Sequence, residues 1–174
     1  IRQAVAAFFQ NNYVADYCEI DQWNTLGVTD MSHLFSAKQG ANLNISTWDV
    51  RNVTTTRDMF NNCQNFNTDL SGWNFTKLED MDSMFAFSHA FNSDISSWDV
   101  STVTDMDSTF FIARAFNQDI SSWDVSNAVN MRGMFRLNSN FNQDLSSWDI
   151  SNVHTISVMF EGATSFDQDL SFNS

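Results

Sequence analysis

Five aspartates, Asp69, Asp94, Asp119, Asp144 and Asp169, recur at intervals of 25 residues. If each interval forms one turn of a stacked structure, neighbouring carboxylates lie about 5 Å apart and repel by about 1 kcal/mol per pair even in a water-like dielectric. Hydrogen bonds from the following Ser or from backbone amides would offset that repulsion. So would a hard cation such as Ca2+, which gathers several oxygen ligands. Calcium sites draw ligands from several directions, which a single row supplies poorly. The hydrogen-bonded reading is therefore preferred, with Ca2+ on the Asp row as the alternative and no other cofactor expected.

A second row is aromatic. All six tryptophans, Trp23, Trp48, Trp73, Trp98, Trp123 and Trp148, keep the same 25-residue spacing. They could present a platform for sugar rings or form an interior stack that holds the register. Large aromatics at constant phase go inward, so the stack is preferred. A third set departs from the period. Arg114, Arg132 and Arg136 stand near Phe87, Phe111, Ile112 and Leu137 on what the spacing predicts to be the outer side of successive repeats, beside Asp107. Exposed apolar residues with arginines nearby have the composition of an interface. The same apolar side chains could instead pack sideways between stacked repeats, and both readings stay open.

Catalytic patterns are absent. His33, His89 and His154 fall at three different phases, and there is no nucleophile elbow, zinc spacing or phosphate loop. An enzyme is not expected. Asn44, Asn52 and Asn74 open N-x-S/T sequons that a eukaryotic secretory route could glycosylate.

These residues must be positioned by a repeated unit, seen most cleanly as FNQDISSWDVSNAVNMRGMF from Phe116 to Phe135. A fixed period of this length marks a stacked-repeat architecture. After each Trp, apolar residues fall 5, 8, 11, 12 and 15 positions on, the three-and-four spacing of one helical face. Thr29-Asp30, Glu79-Asp80 and Thr104-Asp105 precede that face as N-caps would. The spacing predicts a short helix per repeat, for example over Asp80–Ser88. The next Phe opens a stretch that alternates apolar and polar, which predicts a short strand. Asn67, Asn92, Asn117 and Asn142 at its start suit a side-chain ladder bonding backbone groups at the bend. Trp-Asp-Val-Ser-Asn reads as an Asx turn in a chain with no proline.

Residues 1–20 break the period. Ile1, Val5, Phe8 and Phe9 lie at helical spacing, which predicts an amphipathic helix capping the first repeat. The expectation is an α/β fold with this cap over 1–20 and a single domain of about six repeats over 21–174. The chain opens on Ile1 and reads as a processed protein or a piece cut from a longer array. The charge of −13, from 21 Asp and Glu against 8 Lys and Arg, opposes a nucleic-acid partner. No apolar run is long enough to span a bilayer. Cys18 and Cys63 lie 45 residues apart at different phases and are expected to stay unbridged.

Strings such as FNQDISSWDVS, FNQDLSSWDIS and VTDMDSMF resemble the BspA-like leucine-rich-repeat surface proteins of microbes, over roughly Asp21 to Ser171. The resemblance implies a right-handed leucine-rich-repeat-like solenoid with one short strand and one short helix per repeat. It also implies an extracellular or cell-surface setting and a role in adhesion or recognition, with no reaction. The first repeat departs from the pattern at Ala41 and Asn44, and the last carries Asn173 where Trp would fall. The expected function is a non-catalytic module that recognises a protein or glycan at a cell surface through its variable faces. The alternative is a structural component of an extracellular assembly, self-associating end to end or binding a regular surface.

Overall fold

The computed structural model describes residues 1–10, 20–38 and 43–170. Its architecture is decided by where the backbone N–H groups go. In the third repeat Met81, Ser83, Phe85 and Phe87 donate to the carbonyls of Asp105, Asp107, Thr109 and Phe111, one repeat further on. Between them Met84, Ala86 and Ser88 donate back to Met81, Ser83 and Phe85, closing a tight turn each time. The same four lateral bonds, 2.7–3.0 Å long, join each of the five neighbouring pairs of coils.

The expected α/β leucine-rich-repeat-like solenoid, with a strand and a helix in every repeat, is overturned by this geometry. The described residues contain one α-helix, α1 (Arg2–Gln10), one 3-10 turn (Ile20–Gln22) and no β-sheet. An α-helix needs each N–H to reach the carbonyl four residues back. Here alternate N–H groups leave the coil altogether, so Asp80–Ser88 is a run of turns. Apolar spacings of three and four arise from such turns as readily as from a helix. The residues expected to cap helices form Asx turns instead, with Asp30, Asp80 and Asp105 accepting from the N–H groups of Ser32, Asp82 and Asp107.

The predicted strand fails for a related reason. The N–H groups of Asn92, Asn117, Asn142 and Asp167 are taken by the side-chain oxygens of Asn67, Asn92, Asn117 and Asn142, at 2.8–2.9 Å. This ladder is built from side chains, and no backbone ladder forms beside it. Among the described residues strand-like pairing takes the form of isolated bridges, five of them parallel and running through Asp30, Thr55, Asp80, Asp105, Asn130 and Thr155, with Asp149 a further bridge residue.

Sharp turns place two residues per coil in the left-handed region. Ten non-glycine residues, from His33 to Val158, have φ between 53° and 61°, and Gly133 and Gly162 complete the two series. All twelve fall ten or fourteen positions after a tryptophan.

The interior is a double column of phenylalanines. Phe35, Phe60, Phe85, Phe110, Phe135 and Phe160 stack ring on ring at 5.4–5.8 Å. Each of the last five also stacks on the Phe six positions further on in its own coil, Phe66, Phe91, Phe116, Phe141 and Phe166, at 3.7–4.0 Å. Full burial of each such ring contributes about 2–3 kcal/mol, with roughly another 0.5–1.5 kcal/mol per stacked pair. Coils held this way depend on their neighbours, because two or three isolated turns bury too little to persist. At the other end α1 closes the column: Val5 is buried, Phe9 meets Phe35 and Phe8 meets Trp23, both edge-to-face at 6.4 Å. Arg2 pairs with Asp30 on the first coil. Only its first ten residues are described as a cap, and 11–19 lie outside the described residues together with Cys18.

Candidate recognition surface at the left-handed corner

The fourteenth position after each tryptophan carries Ala37, Asn62, Phe87, Ile112, Leu137 and Gly162, all with φ between 55° and 72°. Asn and Gly suit that conformation. Phe, Ile and Leu do not: their Cβ crowds the following carbonyl at a cost of roughly 1–2 kcal/mol, with none of the local side-chain hydrogen bonding that lets Asn tolerate it. Three consecutive coils therefore hold a bulky apolar residue in a strained backbone. Burial does not account for the choice: Phe87 is 37% exposed, Leu137 is 42% exposed, and Ile112 is partly exposed.

Neighbouring side chains complete a continuous strip. Phe111 meets Phe87 edge-to-face at 4.9 Å, and the Arg136 guanidinium stands 5.7 Å from the Phe111 ring. Arg136 also pairs with Glu161 at 3.1 Å. Leu137 leans over Gly162, where a Cβ would collide with its Cδ2. Arg132 approaches Asp107 at 3.9 Å, and Arg114 is exposed. The residues expected on the outside of a helix thus come together without a helix, and the strip is bounded by Asn62 and Gly162.

The other rows are placed differently. Each of Asp69, Asp94, Asp119 and Asp144 accepts the N–H of the Ser two residues on, at 2.9–3.0 Å. These bonds to Ser71, Ser96, Ser121 and Ser146 hold the four carboxyls below the usual range. Asp169 is exposed, and its counterpart Ser171 is outside the described residues. Repulsion along the row is thus met by local hydrogen bonding. A polar hollow of about 210 Å³ lies between two of its members, lined by Asp94, Ser96, Gln118, Asp119, Ser121 and Ser122. No group of three or more His, Cys, Asp or Glu among the described residues could hold a metal ion.

Five of the six tryptophans, from Trp48 to Trp148, are at most 4% exposed, while Trp23 under α1 is partly exposed. Each of the five passes its indole N–H to a carbonyl 28 residues back, as Trp98 does to Leu70 at 3.1 Å. A buried indole is thereby satisfied and the coils are stitched together. Among the sequons, Asn52 bonds Leu26 and Lys77, Asn44 bonds its own Ser46, and Asn74 is exposed.

Sequence reasoning missed two features. One is the left-handed conformation of the strip. The other is Arg57, which pairs with Asp80 at 3.1 Å, with Asp82, and with Asp105 at 3.6 Å. Burial, reinforced by Asp105 and Asp107, pushes the Asp82 carboxyl above its ordinary range despite Arg57. Reading charges coil by coil at equal phase would have found this clasp.

Coils bonded at a 25-residue offset around a continuous aromatic column define a tandem-repeat protein. The chain belongs to the family described as "Mycoplasma protein of unknown function, DUF285", which matches residues 3–115 and 86–173. No curated protein and no solved structure matches it.

Proposed function

We propose that this chain is a BspA-like recognition module, non-catalytic and displayed outside the cell or at its surface, which binds its target through the strip from Phe87 to Leu137. The supporting observation is that three bulky apolar residues, Phe87 and Leu137 exposed and Ile112 partly so, sit in left-handed positions where Asn or Gly would serve the fold better. Residues that break a local rule without stabilising the fold concentrate at functional surfaces. The resemblance of the repeat to microbial surface proteins supports the setting. The target is a protein or glycan, with Phe87, Phe111, Ile112, Arg114, Arg132, Arg136 and Leu137 as contacts. The test compares wild type with the Phe87→Asn/Ile112→Asn/Leu137→Asn variant on cultured-cell monolayers and on a glycan array. Equal binding by the two proteins, both folded by tryptophan fluorescence, would sink the proposal.

A further inference from the structure

Resting on the reading of the strip as a recognition surface, we propose that its partner is an acidic amphipathic α-helix lying along the axis of the stack. The spacing of the strip points there. Phe87, Ile112 and Leu137 sit one coil apart, and equivalent rings in successive coils are separated by 5.4–5.8 Å. An α-helix repeats its surface every ~5.4 Å, so side chains at i, i+4 and i+7 of a helix parallel to the stack keep pace with the three residues. An extended strand places same-side residues about 6.6–6.8 Å apart and falls out of register by the third. Sugar rings need flat aromatic faces and hydrogen-bonding partners; here the one aromatic pair is edge-to-face, and the rest of the strip is Ile and Leu.

Charge selects the same partner. Arg114, Arg132 and Arg136 are the only Lys or Arg residues after Lys77 in a chain of net charge −13, and Arg136 stands over Phe111 in the strip. Although Arg132 and Arg136 each meet one acid of this chain, Asp107 at 3.9 Å and Glu161 at 3.1 Å, a guanidinium keeps further N–H donors for an incoming carboxylate. A helix with an apolar face edged by Asp and Glu meets both features. A second copy's α1 does not, because Arg2–Gln10 contains no acidic residue and its apolar Val5 is already buried. Two coil steps correspond to about two helical turns, which suits a short docking helix with two or three apolar anchors.

The experiment selects from a display library of random segments about 15 residues long, roughly four helical turns. The library is panned on immobilised wild-type protein and counter-selected on the Ile112→Asn/Leu137→Asn variant, with its fold checked by tryptophan fluorescence. The expected result is enrichment of segments with apolar residues at i, i+4 and i+7 flanked by Asp or Glu. These segments should bind the double variant at least ten times more weakly, and Arg132→Glu should weaken them further at low salt. Enrichment of segments with apolar residues at i, i+2 and i+4, or none at all, overturns the helical partner. A glycan whose binding depends on Ile112 and Leu137 does the same while leaving the strip as the recognition surface. Segments captured equally by wild type and double variant overturn the helix and the surface together.

Discussion

Asn138 offers a sharp test of how the interior is held. It is fully buried in the fifth coil, and neither its amide nitrogen nor its amide oxygen has a partner. The equivalent positions one coil away on either side are Ala113 and Ala163. Two earlier coils show how a polar side chain can be accommodated there. Cys63 and Ser88 donate to the carbonyls of Phe35 and Phe60, 28 residues back, at 3.0 and 2.6 Å. The corresponding carbonyl for residue 138 is that of Phe110. An unpaired buried group costs about 1–3 kcal/mol, so the two amide atoms together cost about 2–6 kcal/mol. Replacing Asn138 with Ser removes that cost and gains roughly 1 kcal/mol from a hydroxyl bond to Phe110. The smaller side chain loses about 1 kcal/mol in packing. The net expectation is a stabilisation of at least about 2 kcal/mol, or a rise in Tm of at least roughly 4 °C for a domain of this size. Differential scanning calorimetry reads it directly, and urea titration with an unchanged slope assigns it to the folded state. A lower Tm for Asn138→Ser would refute the reasoning, because the amide would then have to be satisfied by water inside the stack.

Three further expectations follow from the same geometry. Val158 is β-branched at φ 55° and 41% exposed; Val158→Asn relieves about 1–2 kcal/mol of strain and loses about 1 kcal/mol of burial. Its Tm should therefore equal or exceed wild type, whereas Val153→Asn in the same coil, at ordinary φ, should melt lower. The carboxyls of Asp69, Asp94, Asp119, Asp124, Asp144 and Asp149 titrate below their ordinary 3.8 in the folded chain. Their contribution is present above pH 3.8 and is lost as pH falls through the lowered values; Asp82, shifted upward, opposes this in part. A Tm series from pH 6 to pH 2 should fall steeply below about pH 4, and Asp119→Asn, which keeps an acceptor for Ser121, should match wild type at neutral pH with a shallower acid limb. Burial pushes the Cys63 thiol up to about 11, so in a Cys18→Ser chain, where Cys63 is the one thiol left, a disulfide reagent at neutral pH should label it only after denaturation; immediate labelling of that folded variant would contradict its burial.

Much of the interior is legible in the sequence. A 25-residue recurrence of Trp and Phe marks which side chains face inward, because only residues at equal phase can stack on one another in successive coils. The Asx turns at Asp99, Asp124 and Asp149 are also legible, since an Asp followed two residues later by Ser needs only local geometry to form its bond. The helix and strand were misread for one shared reason. Met81, Met84, Phe85 and Ser88 have the spacing of a helical face, yet the N–H groups of Met81, Ser83, Phe85 and Phe87 find their acceptors 24 residues away. Asn92, Asn117 and Asn142 look like ordinary loop residues until the previous coil supplies the side-chain oxygen that each N–H meets. Nothing in a window of one repeat distinguishes an N–H that closes a helix from one that joins its neighbour.

By itself the sequence determined the repeat, its register, the inward phases and the set of residues that vary from coil to coil. The tertiary structure alone decided the conformation that carries those variations. Lateral bonding between coils forces φ positive at two positions per turn, and only there do Phe87, Ile112 and Leu137 change from helix-surface residues into a strained, exposed strip. Local side-chain pattern is written residue by residue, whereas backbone hydrogen bonding in a stack is settled between coils.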